Sequence, residues 1–171
     1  MSNSLSVRAL DNETWPAFAA LAEAHNGVWG GCWCLAFHPK SPDMGKSVDG
    51  NRRIKQRLVE SGDAHAALVF DGDRAVGWCQ YGTPEELPRI YHRKQYEAEI
   101  VKRADFRITC FIDRDYRRQG VSELALDGAL GLIVKAGGGL VEAFPARHRR
   151  RQSVGVVPLQ RHPQPLRTRR I

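Results

Sequence analysis

The order of elements in this sequence predicts an α/β fold of the α+β kind, a mixed, mostly antiparallel sheet flanked by helices. Three observations carry that prediction. Ala64 to Phe70 and Arg74 to Tyr81 are strand-forming runs around Asp71-Gly72-Asp73, residue types that tolerate the positive φ of a hairpin turn. Phe106 to Ile112 is a third strand-forming run. Gly120 to Ala136 then reads as a long helix, ended by Gly137-Gly138-Gly139 and followed by another short strand at Leu140 to Phe144.

The remaining elements follow in chain order. Ser6 to Leu10 alternates and reads as a strand. Asp11 or Asn12 is placed to cap a helix whose apolar face is Trp15, Phe18, Ala19, Leu21 and Ala22, with Gly27 at its end. An aromatic, glycine-rich loop runs from Val28 to His38. Gly50 to Glu60 reads as a helix with Ile54, Leu58 and Val59 inward and arginines outward. In the return strand of the hairpin, alternation sets Val76 and Trp78 on one face and Gly77 and Cys79 on the other. Tyr91 to Lys102 reads as a charged surface helix. No internal repeat is present.

The chain has 171 residues, 42% of them apolar, which suits one globular domain. No N-terminal apolar run follows a charged start, so no signal peptide is expected, and no run approaches the ~20 apolar residues of a membrane span, so a soluble, cytoplasmic protein with no membrane partner is expected. The formal charge of +7 is localised. Eight of the 26 basic residues are arginines after Ala146, where no acidic residue occurs, leaving 18 basic against 19 acidic residues in the body. Residues 147–171 hold arginine, glutamine, proline and histidine with one apolar island, Val154 to Leu159. Such a segment buries too little apolar surface to offset its ordering entropy and is expected to be a mostly disordered tail. Its arginines invite phosphates. With no aromatic residue interleaved to stack on bases, nucleic acid is disfavoured as a partner.

Cys32-Trp33-Cys34, with His38 close behind, falls short of a zinc site, because the spacing is one residue and a second pair is absent. Small thiols packed among Trp29, Trp33, Leu35 and Phe37 are the simpler account, and no metal is expected.

The chemistry-bearing segment is Arg117-Arg118-Gln119-Gly120-Val121-Ser122, between strand and helix. A turn that opens a helix aims unpaired N–H groups and the positive end of the helix dipole at one point, which suits a pyrophosphate. Gly120 lets the backbone approach the phosphate oxygens, and Arg117 and Arg118 add charge. This pattern resembles motif A of the GCN5-related N-acetyltransferases, Arg/Gln-x-x-Gly-x-Gly/Ala. Arg117 and Gly120 fill its positions, and Ser122 departs from it as a small residue that still fits. The element order over residues 6–145 is similar to that family's.

The resemblance implies a GCN5-related acyl-coenzyme A binding domain at 1–146 and a basic tail at 147–171. It implies acetyl-CoA as co-substrate, direct transfer of the acetyl group to a primary amine, and a small-molecule or peptide acceptor. Cys110, Phe111 and Ile112 would hydrogen-bond the pantetheine arm through their backbone. Arg117, Arg118, Gln119, Gly120, Val121 and Ser122 would hold the pyrophosphate. The strand at Leu140 to Phe144 would form the slot where acetyl and amine meet. Positioning is most of the catalysis. The Ile112 N–H is placed to stabilise the tetrahedral oxyanion. Glu142 and Asp113 are the candidate general bases. Trp29 to Phe37 and Tyr81 are candidates for the acceptor pocket.

The family continues past this strand with a helix and two strands that commonly supply a tyrosine for the leaving thiolate. Here the last tyrosine is Tyr116, and the tail's composition is what an out-of-frame reading of a GC-rich gene tends to give. The sequence therefore predicts a sheet lacking the usual last strands. Its exposed edge would invite a homodimer. The alternative to an active enzyme is a catalytically impaired CoA-binding remnant.

Overall fold

The computed structural model describes residues 5–28, 30–90, 93–143 and 157–159. Among these described residues six strands form one sheet in sequence order: β1 Ser6–Ala9, β2 His65–Asp71, β3 Arg74–Gly82, β4 Phe106–Ile112, β5 Gly139–Ala143 and β6 Val157–Leu159. All neighbours pair antiparallel except β4 and β5, which are parallel and joined through a helix. A parallel pair requires such a crossover. The helices are α1 Trp15–Ala24, α2 Val48–Glu60, α3 Arg93–Glu99 and α4 Val121–Lys135. This is the mixed, mostly antiparallel architecture that the sequence predicts.

The helix starts differ from expectation for local reasons. Asp11 does not cap α1. Its Oδ1 accepts from the N–H groups of Glu13 and Thr14, both at 2.9 Å, and closes a turn before the helix. The helix then begins at Trp15, with a proline in its first turn, where the missing N–H costs nothing. Helix α2 starts two residues earlier than expected because Ser47 Oγ accepts from the Gly50 N–H at 2.9 Å. Of the helix expected over 91–102, Arg93–Glu99 is helical, and residues 91–92 lie outside the described residues.

The hairpin forms as predicted, with Gly72 at φ 60 in its turn. Its face assignment needs correction. The register shifts between Val69 and Phe70, which face Gly77 and Ala75, so Val76 is an extra residue in β3. A bulge of this kind reverses the alternation beyond it. Val76 therefore packs with Cys79 and Tyr81 on one face, and Ala75 packs with Trp78 on the other.

Two cores result. On the α1–α2 face, Phe18, Trp33, Leu68, Phe70 and Trp78 are at most 2% exposed, and the Phe18 and Trp78 rings meet edge to face with centroids 5.0 Å apart. Burying side chains of this size stabilises the fold by roughly 1.5–3 kcal/mol each. On the opposite face α4 sets Val121, Ala125, Ala129 and Ile133 against Ala67, Val69 and Cys79. The small residues bring helix and sheet close together. A Cβ on Gly128 would lie 2.5 Å from Val7 Cγ1 and 3.1 Å from Ala67 Cβ.

Within the segment expected to be a mostly disordered tail, a short strand forms. Part of the apolar island, Val157–Leu159, pairs antiparallel with β5, Leu159 opposite Gly139 and Val157 opposite Val141. Pro158, whose backbone has no N–H to donate, is tolerated because this strand is terminal among the described strands. The rest of the tail, together with Phe144, lies outside the described residues.

The close approach of α4 gives a paired test. Gly128→Ala should lower stability by about 1–3 kcal/mol through overpacking, despite alanine's better helix propensity. Gly131→Ala, where a Cβ meets nothing within 4 Å, should raise it by about 0.5–1 kcal/mol. Urea denaturation of the two variants measures both.

Candidate functional site

The predicted phosphate turn is built in three steps. Beyond β4, a 3-10 turn at Arg114–Tyr116 is anchored by the Tyr116 hydroxyl, which donates to Asp71 Oδ2 at 2.7 Å. Gln119 Nε2 donates to the Asp115 carbonyl at 2.7 Å and tightens the following turn. Arg118 at φ 62 and Gly120 at φ 78 are left-handed, and Gly120 stands at the N-cap of α4. No side-chain hydrogen bond caps this helix, and the Leu124 N–H bonds the Gly120 carbonyl at 3.1 Å. The N–H groups ahead of Leu124 are those that an α-helix cannot satisfy internally. A Cβ on Gly120 would meet nothing within 4 Å, and Arg117, Arg118, Gln119 and Ser122 are exposed. The turn is thus an open, positively polarised concavity of backbone donors with two arginines at hand.

Strand β4 leads into that turn. On one side it pairs with β3 from Arg107 to Ile112. On the other, the pairing with β5 among the described residues runs from Phe106 to Ile108. The Asp113 N–H bonds the Val76 carbonyl at 2.9 Å. Successive strand N–H groups point to opposite sides, so those of Cys110 and Ile112 are directed away from β3, toward the β5 side. The side chains of Cys110, Phe111 and Ile112 lie outside the described residues.

The two candidate bases are at opposite ends of β4 and do not converge. Glu142 is opposite Arg107 near the start of the strand, and Asp113 follows its end. Six residues of strand separate the two places by roughly 20 Å. Both carboxylates are buried, at 3% exposure. Asp113 Oδ2 accepts from Arg74 Nη2 at 2.8 Å, with His25 Nε2 3.6 Å from its other oxygen. Glu142 Oε1 accepts from Arg107 Nε at 2.5 Å, and Oε2 accepts from the Tyr96 hydroxyl at 2.8 Å. The Arg107 guanidinium also donates to the Leu87 carbonyl at 2.7 Å and lies 5.6 Å from the Tyr96 ring centroid. Burial, and then the bond to Glu142, hold the Tyr96 phenol above its usual range, so it keeps its proton.

The aromatic loop serves mainly as core. Val28, Trp33 and Leu35 are each 1% exposed and pack with Trp15 and Phe18; Trp29 lies outside the described residues. Tyr81 is on the α4 face, stacked on His65 at 5.4 Å.

A third group of polar residues was not singled out from sequence. Lys55, His38 and Gln80 are each 1% exposed and meet between α2, the loop after Phe37 and β3. The Lys55 ammonium donates to Gln80 Oε1 at 2.5 Å and to His38 Nε2 at 3.1 Å. An ammonium only donates, so Nε2 accepts and the His38 proton sits on Nδ1. Burial, and then the Lys55 charge, push His38 down to about 3. Burial pushes Lys55 down to about 8, opposed by the Cys34 and Cys32 thiols. Next to Gln80 on the same face is Thr109 of β4, whose Oγ1 is buried without a partner. The available signals were a lysine among the inward positions of α2, beside Ile54 and one turn before Val59, and a glutamine in an otherwise apolar strand. Among the described residues no group of three His, Cys, Asp or Glu side chains is arranged to hold a metal, and no helix is long and apolar enough to cross a membrane.

The neutral His38 makes stability depend on pH. Its folded pKa lies below the unfolded one. The contribution is therefore complete above about 6.5 and is lost as pH falls toward 3, where the unfolded chain binds the extra proton. Between about pH 7.5 and 5.5 this site alone removes about 1.4 kcal/mol. Urea midpoints at the two pH values should differ less in His38→Gln than in the parent chain.

No protein-family model matches the chain, and no curated protein matches it by sequence. Solved structures match it in shape. The aminoglycoside N-acetyltransferase AAC(6')-Iy, solved in complex with CoA, is similar with a TM-score of 0.55 at 8% identity, over 84% of this chain and 78% of that one. A GCN5-related N-acetyltransferase from Ralstonia eutropha JMP134 has a TM-score of 0.50 at 14% identity, over 83% and 84%. A ribosomal-protein-alanine N-acetyltransferase from Brucella melitensis biovar Abortus 2308 has a TM-score of 0.50 at 11% identity, over 85% and 83%. With the six-strand order, the parallel β4–β5 pair and the left-handed turn opening α4, this likeness establishes one thing: the chain has the fold of the GCN5-related N-acetyltransferases.

Proposed function

We propose that this protein is an N-acetyltransferase that binds acetyl-CoA and transfers the acetyl group directly to a primary amine. One observation carries the reading: the uncapped N-terminus of α4, opened by the left-handed Gly120 and flanked by exposed Arg117 and Arg118. Its place in the fold supports it further, since one structure of similar shape was solved with CoA.

The direction of β4 orders the rest. A pyrophosphate on the N–H groups at Gly120 to Ser122 starts the cofactor at the end of the strand. The pantetheine arm then runs back along the outward N–H groups of Ile112 and Cys110. The thioester comes to rest toward Thr109, on the face that carries Gln80. Beyond it stands the Arg107–Glu142–Tyr96 group. Of the two carboxylates, Glu142 is the one at this acyl end, so it is the general base on this reading. The amine proton reaches it directly or through water, with Tyr96 displaced or relaying. Asp113 lies at the pyrophosphate end, where its pairing with Arg74 fixes the turn. The Ile112 N–H, which would bind an oxyanion, is a pre-aimed dipole that needs no reorganisation during the reaction.

Calorimetric titration with acetyl-CoA tests the proposal. The parent chain should bind it, and the bound complex should acetylate members of a primary-amine panel. Gly120→Asp should weaken binding at least tenfold more than Gly120→Asn. Both residues accept a left-handed backbone, and only one sets a negative charge against the pyrophosphate. Equal affinities for the two variants would place the cofactor elsewhere. Binding without turnover would select the impaired remnant.

A further inference from the structure

A cavity of about 250 Å³ opens beside the Arg107–Glu142–Tyr96 group, lined by the loop after β3, by α3 and by the start of β4. Pro84, Pro88, Ile90 and Ile100 give it an apolar wall, and Tyr96 and Arg107 line it as well. Those two side chains both bond Glu142, so the cavity reaches the groups that hold this carboxylate. Its volume falls below the roughly 300–1,000 Å³ of sites for drug-sized ligands and suits a molecule the size of an amino acid. Charge is unevenly spread around it. Arg93, Arg103 and Arg107 line it, against Glu97 as the one acidic residue in the lining. Arg93 Nε pairs with Glu97 Oε1 at 2.7 Å, and Arg107 is held by Glu142 and the Leu87 carbonyl. Arg103 is exposed and has no hydrogen bond or ion pair among the described residues. Its backbone is nevertheless fixed, because neighbouring Ala104 is buried and Asp105 Oδ2 accepts from the Leu140 N–H at 2.7 Å.

We propose that this cavity binds the acceptor and selects an amine that carries its own carboxylate, an apolar amino acid, with Arg103 as the residue that recognises the carboxylate. The inference rests on the acetyl-transfer reading for its chemistry and on the cavity for its choice of acceptor. An amine acceptor arrives as an ammonium ion. Three guanidiniums against one lining carboxylate repel a simple cation. A carboxylate a few bonds from the nitrogen offsets that repulsion and gains a charge-assisted bond to Arg103, whose planar fork matches it. The apolar wall takes the side chain, and the nitrogen turns toward Glu142. In the step itself the ammonium loses one proton to Glu142, and the amine nitrogen attacks the thioester carbonyl carbon. The C–N bond forms, the C–S bond breaks, and a second nitrogen proton ends on the departing thiolate of coenzyme A. The products are an N-acetyl amino acid, now an anion, and the coenzyme A thiol.

The test is calorimetric titration of the full chain, with coenzyme A added first, using N-acetylleucine, N-acetylphenylalanine and the amides of both. Acid and amide share the acetylated nitrogen and differ at one group, so amine basicity does not enter and no turnover is needed. Each acid should bind about tenfold or more tightly than its amide, the scale of one charge-assisted hydrogen bond. Arg103→Gln should abolish that advantage. Coenzyme A affinity, read in the same experiment, reports that the variant keeps its fold. Equal affinity of acid and amide in the parent chain, with no detectable binding of either counted as equal, would overturn the proposal. An undiminished acid preference in Arg103→Gln would overturn it as well. The same titrations without coenzyme A separate this failure from that of the acetyl-transfer reading. An acid preference in a chain that does not bind coenzyme A overturns the acetyl-transfer reading and upholds the carboxylate site. Coenzyme A binding with no acid preference overturns the carboxylate site alone.

Discussion

Strand β3 is buried along nearly its whole length, and both cores are built on it. Its α1–α2 face carries Trp78, and its α4 face carries Val76, Cys79 and Tyr81. A strand buried on both sides leaves no solvent for a polar side chain. Gln80, 1% exposed, must therefore find its partners within the protein, and it finds Lys55 and the Cys34 carbonyl. That requirement ties α2 and the cysteine turn to the sheet. It places buried polar groups of this face beside Thr109, on the strand that leads to the predicted phosphate turn.

The predicted phosphate turn itself depends on little of this. It needs a strand that ends, a residue free to take positive φ, and a helix whose first N–H groups stay uncapped. Asp113 and Tyr116 tie the turn back to the hairpin through Arg74 and Asp71, so the end of β4 is braced by the opposite end of β3. The bulge at Val76 lies in that same end of the hairpin, and the Val76 carbonyl accepts the Asp113 N–H. Local irregularity in β3 thereby sets where β4 stops.

Much of this was legible in the sequence, and the reasons differ by element. The hairpin, β4 and α4 are announced by period, glycine placement and apolar content, which are local properties. The backbone of the Arg117 to Ser122 turn was legible because a left-handed residue opening a helix is what glycine reports. The faces of β3 were misread at Val76, since an extra residue in a strand has no compositional mark. Strand β6 was missed because three residues around a proline carry almost no strand signal until β5 offers them an edge. The Lys55–His38–Gln80 group spans 42 positions of sequence and comes together only when α2 packs on β3. Glu142 was identified as an isolated carboxylate, while its partners Arg107 and Tyr96 come from two other elements.

Whether a pyrophosphate sits on the open end of α4 is decided by a crystal structure of this chain grown with coenzyme A. Pyrophosphate oxygens are expected within hydrogen-bond distance of the Gly120, Val121 and Ser122 N–H groups, with the pantetheine arm along Ile112 and Cys110. A coenzyme bound away from this turn, with the turn intact, would contradict it.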